Sequence, residues 1–340
     1  NAAQAEGVDL VGFPGFAIHD PRAFQAQANI IYDLVNPSEV QGVIAWVSSI
    51  GNHVGDNAIK AFCEHYRALP FVSIGKVLAG TPSLLMDSYQ GMREAMIHLI
   101  EEHGYRRIAF IRGPEKHFYA MERYRAYVEA LEDYGIPLDP QLVTPPRDWE
   151  RSTGVSMMQV LLDERGLRPQ TDIEAIASAN DDLILGGLEV LRARSIRVPE
   201  DVALVGFNHS VDAQASTPPL TSVAVPFYEV GYQAVKVLLA LMAGEQVPDQ
   251  ITIPGQLVVH QSCGCVSSAV KQAAFEAYAP IKVQDKGLKP ITEIVATQRV
   301  QILDDIDHAV VELGGMLESA LAEQLLDLFT AELDGEPTGA

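Results

Sequence analysis

Four apolar runs of this 340-residue sequence end in residues whose side chains donate or accept hydrogen bonds. Each run is typical of a buried β-strand, and the residues that follow the four runs are Ser48-Ser49, Asp87-Ser88, Asn180-Asp181-Asp182 and Asn208-His209. Ligands of open α/β sheets bind beyond the carboxyl ends of the strands, so these side chains would line a cleft for a small polar ligand. Ser, Asp and Asn are also favoured in helix N-caps and turns, and each position taken alone fits that use.

Enzyme signatures are missing from the sequence. It contains no G-x-G-x-x-G after a first strand, no Walker A loop, no G-x-S-x-G elbow and no H-E-x-x-H motif, so we expect neither catalytic residues nor a cofactor. Two of the three cysteines, Cys263 and Cys265, lie in "QSCGC" and offer half a metal site. Zinc needs four ligands and no paired Cys/His cluster follows, so we interpret them as two thiols and predict no metal site.

Strands and helices alternate along most of the chain. The apolar runs are continuous, which is typical of strands covered on both faces. The predicted strands are residues 8–13, 42–47, 70–74, 82–86, 107–111, 141–144, 173–178 and 202–206. The predicted helices are residues 21–35, 56–67, 88–103, 120–134, 152–165, 181–194 and 227–243. Repeated βα units indicate an α/β fold with doubly wound parallel sheets, and a TIM barrel is the competing fold.

Composition narrows the classes of function. A formal net charge of −21 without clustered Lys and Arg argues against contact of this segment with nucleic acid. The apolar stretches are too short to span a membrane, and three cysteines fit a reducing, cytoplasmic location. A length of 340 residues predicts two or three domains or lobes.

Several segments closely resemble the effector-binding domain of the lactose/galactose-repressor (LacI) family. They are "HGYRRIAFIRGP" (103–114), "ERYRAYVEAL" (122–131), "ASANDDLILGGLEVLRARSIRVPEDVALVGFNHS" (177–210) and "TPPLTSVAVP" (217–226), and the resemblance extends over about residues 1–262. It implies the type I periplasmic-binding-protein fold, in which two Rossmann-like lobes are joined by three crossovers. A sugar, nucleobase or related metabolite would lie between the lobes, and a homodimer is expected.

The resemblance also implies domain boundaries. We expect an N-terminal lobe from residues 1–104 and 218–244, a C-terminal lobe from residues 105–217 and 245–262, and a helical extension over 263–340. Within that extension, apolar residues at helical spacing predict one long helix over 298–331. This helix would pack on its own domain, or it would dimerise or carry a signal.

Nine ligand-binding residues follow from the resemblance by position. Arg123 matches an arginine that grips ligand hydroxyls or a carboxylate, although an exposed helix arginine is the alternative interpretation. Trp149 matches an aromatic residue that stacks on the ligand, and Asn180 matches the asparagine of the A-N-D segment. The remaining expected cleft residues are Asn208, Phe227, Phe13, Ser48, Ser49 and Asp87.

Three departures from the family pattern modify these expectations. Most members read V-G-F-D-D where this chain has Asn208 and His209, and many carry Gln where this chain has Val225. Because Asn donates as well as accepts, a nucleobase-like or carboxylated ligand is as well supported as a sugar. The family's first strand is absent upstream of Asn1, so we expect roughly 20–30 preceding residues in the natural protein.

The third departure is the tail beyond "SCGC", which resembles sensors that feed a C-terminal output module. The favoured function is therefore a cytoplasmic ligand sensor whose lobe closure is transmitted to such a module. Its expected partners are a small polar metabolite and a second copy of the chain, with neither nucleic acid nor membrane. The alternatives are a LacI-type transcriptional regulator without its helix-turn-helix, a solute-binding protein of a transporter and, least supported, an enzyme.

Overall fold

The structure is a computed structural model that describes residues 2–266, 295, 297–303, 323–324 and 326–327. The chain divides into two compact units, Asn1–Lys271 and Gln272–Ala340.

In the second unit, the described residues are helical. One ion pair joins the guanidinium of Arg299 to the carboxylate of Asp327 at 2.6 Å. Most of the long helix predicted over 298–331 lies outside the described residues.

The first unit is built on two β-sheets, and each sheet forms the centre of one lobe. The first sheet is parallel, with the spatial order β1-β2-β3-β8: β1 (Val43–Ala45), β2 (Phe71–Ile74), β3 (Ser83–Asp87) and β8 (Gln250–Pro254). The second sheet has the order β4-β5-β6-β7-β9: β4 (Ile108–Ile111), β5 (Ala175–Ser178), β6 (Ala203–Asn208), β7 (Thr221–Ala224) and β9 (Gln256–Val258). Only the β7–β9 pair among these is antiparallel. Two open sheets confirm the two-lobed α/β fold, and the TIM-barrel alternative is wrong.

Helices cover the sheets. They are α1 (Ala2–Ala5), α2 (Ala23–Ala28), α3 (Val47–Ile50), α4 (Asp56–His65), α5 (Ser88–Glu101), α6 (Phe118–Asp133), α7 (Arg151–Gln159), α8 (Asp181–Ala193), α9 (Val211–Ala215) and α10 (Phe227–Met242). Short 3₁₀-helices occupy Asn29–Leu34, Pro140–Leu142 and Gln261–Cys263, and a π-helical turn, Val160–Glu164, extends α7. Strands β4 and β5 are buried at every residue, as their continuous apolar runs predict. Within the described residues, no helix is both long and apolar enough to cross a bilayer.

The chain passes between the lobes three times, as the family resemblance implies. Helix α5 leads from β3 to β4, Pro226 separates β7 from α10, and Gly255 separates β8 from β9. A Cβ atom on Gly255 would lie 3.1 Å from the carbonyl oxygen of Ala224, so glycine allows the chain to cross close to the end of β7.

These crossovers correct the boundaries expected for the two lobes. Strand β7 falls within 218–244, which we assigned to the N-terminal lobe, but it pairs with β6 in the second sheet. Strand β8 falls within 245–262, which we assigned to the C-terminal lobe, but it pairs with β3 in the first sheet. Gly255 divides the segment 250–258 between the two sheets, with β8 before it and β9 after it.

Two predicted strands are absent from the structure. Residues 8–13 form no strand, and Leu10 and Val11 are 70% and 63% exposed. A strand needs a neighbour for its ladder hydrogen bonds, and no strand of the described residues lies beside this segment. Residues 141–144 were also predicted as a strand, but Asp139 caps the 3₁₀-helix at Pro140–Leu142, and only Val143 forms a bridge.

Candidate functional site

A cleft lies between the two lobes at the carboxyl ends of their strands. It contains a cavity of about 400 Å³ to which both lobes contribute. Ser48, Gly75 and Lys76 line it from the first lobe, and His117 and Phe118 line it from the second. Gly75 has φ +84°, and a Cβ there would lie 2.2 Å from Ser48 Oγ, so only glycine leaves room for this serine.

Arg123, on α6, is 5% exposed at the second-lobe side of this cleft. Its guanidinium donates a hydrogen bond of 2.6 Å to the carbonyl oxygen of Ala179 and another of 3.2 Å to Ser88 Oγ. The guanidinium carbon also lies 3.7 Å from the centroid of the Phe207 ring and 5.8 Å from that of Trp149. The alternative of an exposed helix arginine is therefore wrong.

The charge of Arg123 is not paired with any carboxylate of the described residues. None of the ion pairs among the described residues includes it, and burial lowers its pKa to about 9. A buried cation without an opposite charge is costly to maintain, and such groups are concentrated at functional sites.

Trp149 reaches the same place through a close crossing of α7 and α8. A Cβ on Gly154 would lie 2.0 Å from the carbonyl oxygen of Leu183, and one on Gly186 would lie 2.0 Å from that of Arg151. These glycines let the two helix backbones touch, which brings the loop before α7 to the strand ends. The Trp149 ring packs edge-on against His117, with their centroids 5.0 Å apart.

Asn180 and Asp181 stabilise the loops that carry the site. Asn180 caps α8, because its Oδ1 accepts a 2.9 Å bond from the N–H of Leu183, and its Nδ2 donates to the carbonyl oxygen of Trp149 at 3.3 Å. Asp181 is 1% exposed and accepts bonds of 2.7 Å from the N–H of Ser210 and from Ser222 Oγ. Burial raises the pKa of Asp181. The helix-cap interpretation thus applies to Asn180, which also contacts the loop that bears Trp149.

Asn208 and His209 end β6 in an uncommon backbone conformation, with φ values of +110° and +52°. Both values lie in the region that non-glycine residues rarely adopt, although Asn and His are among the more tolerant. The His209 ring stacks on His260 at 5.3 Å, and burial lowers the pKa of His209. This geometry holds the turn at the strand end, where backbone strain often marks a functional site.

The other five predicted residues differ in their exposure and in their distance from the cavity. Ser48 lines the cavity, while Ser49 beside it is exposed. Asp87 caps α5 by accepting a 2.9 Å bond from the N–H of Gln90. Phe227 begins α10, is 47% exposed and lies 5.8 Å from the ring of Trp46. Phe13 is half-buried in the segment that forms no strand.

Sequence reasoning missed four residues of the cleft: Lys76, His117, Tyr119 and Phe207. Phe207 was visible in the "VGF" motif, but the other three carried no recognisable pattern. His117 is half-buried, and desolvation together with the positive charges of Arg123 and Lys76 lowers its pKa to about 4.

The described residues include two polar contacts that join the lobes across the cleft. The hydroxyl of Tyr119, on α6, accepts a bond of 3.1 Å from the backbone N–H of Met86, on β3. Arg22 pairs with Glu150 at 2.8 Å, and both side chains are exposed. The segment of Arg22 is attached to the first lobe by a 2.8 Å bond from the N–H of Ile18 to the carbonyl oxygen of Ile50.

A larger cavity of about 930 Å³ lies on the second lobe, between α6 and α7. Arg112, Arg147 and Arg165 line it, but none of the nine predicted site residues does. The cleft between the lobes therefore remains the candidate site.

Comparison with known proteins agrees with this architecture. Residues 97–263 match the family described as periplasmic binding protein-like domain. The chain is 36% identical over 200 residues to the HTH-type transcriptional regulator CelR of Thermobifida fusca, covering 57% of this chain and 56% of CelR. It is 31% identical over 224 residues to the HTH-type transcriptional repressor CytR of Escherichia coli (strain K12), covering 65% of this chain and 62% of CytR. The chain thus spans less than two thirds of either curated relative.

Among solved structures, the chain is similar to one described as a transcriptional regulator CelR–cellobiose complex. The TM-score is 0.58 with 32% sequence identity, over 68% of this chain and 70% of that one. These relatives are named as transcriptional regulators rather than as enzymes.

Proposed function

Because this chain belongs to the LacI family, we propose that its first unit is an effector-binding domain that holds a small polar ligand between its two lobes. The buried guanidinium of Arg123 carries this proposal. It lies without a carboxylate among the described residues, against the ring of Phe207 and near Trp149. A ligand hydroxyl or carboxylate at this point would supply the missing partner, and the aromatic rings would pack on the ligand's apolar face.

We propose that Arg123, Trp149, Asn208 and Ser48 contact the ligand directly. Asn180 and Asp87 keep positions at the cleft but use their side chains as helix caps. We propose that the remaining predicted residues, Phe13, Ser49 and Phe227, lie at the rim of the cleft.

Lobe closure would transmit the binding event. A ligand shifts an equilibrium between open and closed lobes only by its difference in affinity for the two states. The Tyr119–Met86 bond and the Arg22–Glu150 pair join the lobes, and we propose that both are features of the closed state. Opening would break them, and a bridging ligand would favour their formation.

The ligand class follows from the donors in the cleft. A cationic fork at Arg123 and an amide at Asn208 suit a sugar, a nucleoside or nucleobase, or a small carboxylate. Because the relative CelR is described in complex with cellobiose, β-linked glucosides are the first compounds to test.

Two outputs are candidates for the response to ligand binding. One candidate is a signalling protein that the effector-binding domain regulates through residues 267–340. The second candidate is a DNA-binding regulator, and it is supported by the HTH-type names of the relatives, of which this chain spans 56% and 62%. A homodimer in the cytoplasm stays a prediction for both.

A thermal-shift screen of the purified chain against sugars, nucleosides, purines and small carboxylates tests the binding proposal. A ligand at 100 times its Kd should stabilise the domain by about 2.7 kcal/mol. This stabilisation should raise the melting temperature by several degrees. We expect Arg123→Met to abolish the shift. Arg125→Met is the matched control, because Arg125 lies on the same helix but is exposed and pairs with Glu122 at 2.7 Å.

Equal loss of the shift in both variants would contradict a specific role for Arg123. A folded protein that responds to no compound in any class would contradict the binding proposal.

A further inference from the structure

Two histidines and two cysteines form a compact cluster in the first unit, and none of them lines the cavity between the lobes. Their candidate ligand atoms, one from each of His98, His103, Cys263 and Cys265, all lie within 4.8 Å of one another. Cys263 is fully buried, and the other three are half-buried.

The distances within the cluster match a tetrahedral zinc site. His98 Nε2 lies 3.4 Å from Cys263 Sγ and 3.7 Å from Cys265 Sγ, and His103 Nε2 lies 3.5 Å from Cys265 Sγ. Bonds of about 2.3 Å to sulfur and about 2.0–2.1 Å to nitrogen at tetrahedral angles place S and N about 3.5–3.6 Å apart. These three N···S distances are therefore already close to the spacing that the metal requires.

The local sequence explains how the four side chains meet. His98 lies in the last turn of α5, and His103 follows the end of that helix. Gly264 turns the backbone between the two cysteines with φ +107°, and a Cβ there would lie 3.2 Å from Cε1 of His103. Glycine thus permits both the left-handed turn and the close approach of the cysteine loop to His103.

Neighbouring side chains support the ligands. The hydroxyl of Thr221, which is fully buried, donates to Cys263 Sγ at 3.1 Å. Tyr105 donates to the carbonyl oxygen of Cys263 at 3.3 Å and stacks on His103 at 5.4 Å. Such outer contacts orient metal ligands and are a regular part of metal sites.

The expectation that Cys263 and Cys265 are two unrelated thiols considered only Cys and His residues that follow them. The second pair of ligands comes earlier in the chain, and His103 and Cys265 lie 162 positions apart in the sequence. A search by sequence spacing could not join the two pairs.

We propose that His98, His103, Cys263 and Cys265 bind one zinc ion in a closed, structural Cys₂His₂ site. Two thiolates would balance the charge of Zn²⁺, and four protein ligands would leave no position for substrate. The ion would fasten the segment after β9 to the end of α5, at the point where the chain continues to residue 267. It would thereby fix the segment through which the ligand-binding unit is connected to the rest of the protein.

Metal analysis of the full chain, purified without chelator, tests this proposal. We expect one zinc per chain by mass spectrometry, and after exchange with Co²⁺ we expect the visible ligand-field and thiolate charge-transfer bands of a tetrahedral site. Cys263→Ser and His103→Asn should each lose the metal and these bands. Cys63→Ser is the control, because Cys63 lies on α4 outside the cluster, and it should retain both.

Circular dichroism checks the folding of each variant. If the fully buried Cys263→Ser variant does not fold, the half-buried His103→Asn variant decides the outcome. The proposal is overturned by folded wild-type protein that binds neither zinc nor Co²⁺, by equal metal content in His103→Asn and wild type, or by a disulfide between Cys263 and Cys265 in freshly purified protein.

Discussion

The guanidinium of Arg123 lies 3.7 Å from the centroid of the Phe207 ring, so a buried cation is held against an aromatic face. Cation–π attraction and the hydrogen bonds to Ser88 and Ala179 partly offset the cost of burying the charge. Among the described residues, however, no carboxylate forms a salt bridge with Arg123. This arrangement is expected where a protein keeps a charge for a ligand rather than for its own stability.

The first prediction concerns the stability of Arg123→Met without ligand. Methionine fills similar volume and removes the buried charge, but it leaves the two acceptors unpaired. Because these effects oppose each other, we expect the free energy of unfolding to stay within about 1 kcal/mol of wild type, measured by urea denaturation. A loss of 3 kcal/mol or more would instead make Arg123 a structural residue.

The second prediction concerns Gly113, whose missing side chain makes room for Trp149. A Cβ on Gly113 would lie 2.6 Å from the indole ring, so Gly113→Ala must displace the ring without touching the ligand. Overpacking of this kind costs about 1–3 kcal/mol, and we expect weaker ligand binding in calorimetry together with a shift in tryptophan emission.

Gly231→Ala is the matched control for Gly113→Ala. Gly231 lies within α10, and a Cβ there would meet no atom of the described residues within 4 Å. The control should be stabilised by up to about 1 kcal/mol, with unchanged ligand affinity. Unchanged affinity in Gly113→Ala as well would exclude Trp149 from the ligand contacts.

Much of the fold was predictable from local pattern, because strands covered on both faces must be continuously apolar. Strands β4, β5 and β6 follow this rule, and the caps Asp87 and Asn180 occupy the positions that N-cap chemistry favours. The segment 8–13 has the same apolar pattern but no neighbouring strand among the described residues. Apolar pattern alone does not make a strand, since the ladder needs a partner.

The site was predictable only in part, because its remaining contacts join distant segments. Trp149 contacts His117 because two glycines let α7 and α8 cross closely. No local sequence pattern predicts that crossing. The same limit applies to His103 and Cys265, which lie 162 residues apart in the sequence.

The third prediction concerns the ion pair between Arg22 and Glu150, which spans the lobes at 2.8 Å. If closure strengthens this pair, Glu150→Gln should weaken ligand binding a few-fold, and the difference from wild type should shrink as salt is added. Glu64→Gln is the control, because Glu64 pairs with Arg67 within one lobe at 3.1 Å. Equal affinities of Glu150→Gln and wild type at low salt would remove this pair from the closing mechanism.

The fourth prediction concerns the pH dependence that His117 imposes on stability. Burial, aided by the charges of Arg123 and Lys76, lowers the pKa of His117 to about 4, whereas a histidine in the unfolded chain titrates near its ordinary value of 6.5. Between these values the unfolded state binds more protons than the native state, so stability is lost as the pH falls from about 6.5 towards 4.

At about one and a third kcal/mol per pKa unit, the loss from His117 amounts to about 2–3 kcal/mol between pH 7.5 and pH 4.5. His117→Asn removes this titration, so denaturation curves at the two pH values should show the variant losing that much less stability than wild type. His209, whose pKa is also lowered, is present in both proteins and therefore cancels in the comparison. Parallel losses in the two proteins would mean that His117 is protonated as readily in the native state as in the unfolded chain, and the cleft around it would then be open to water.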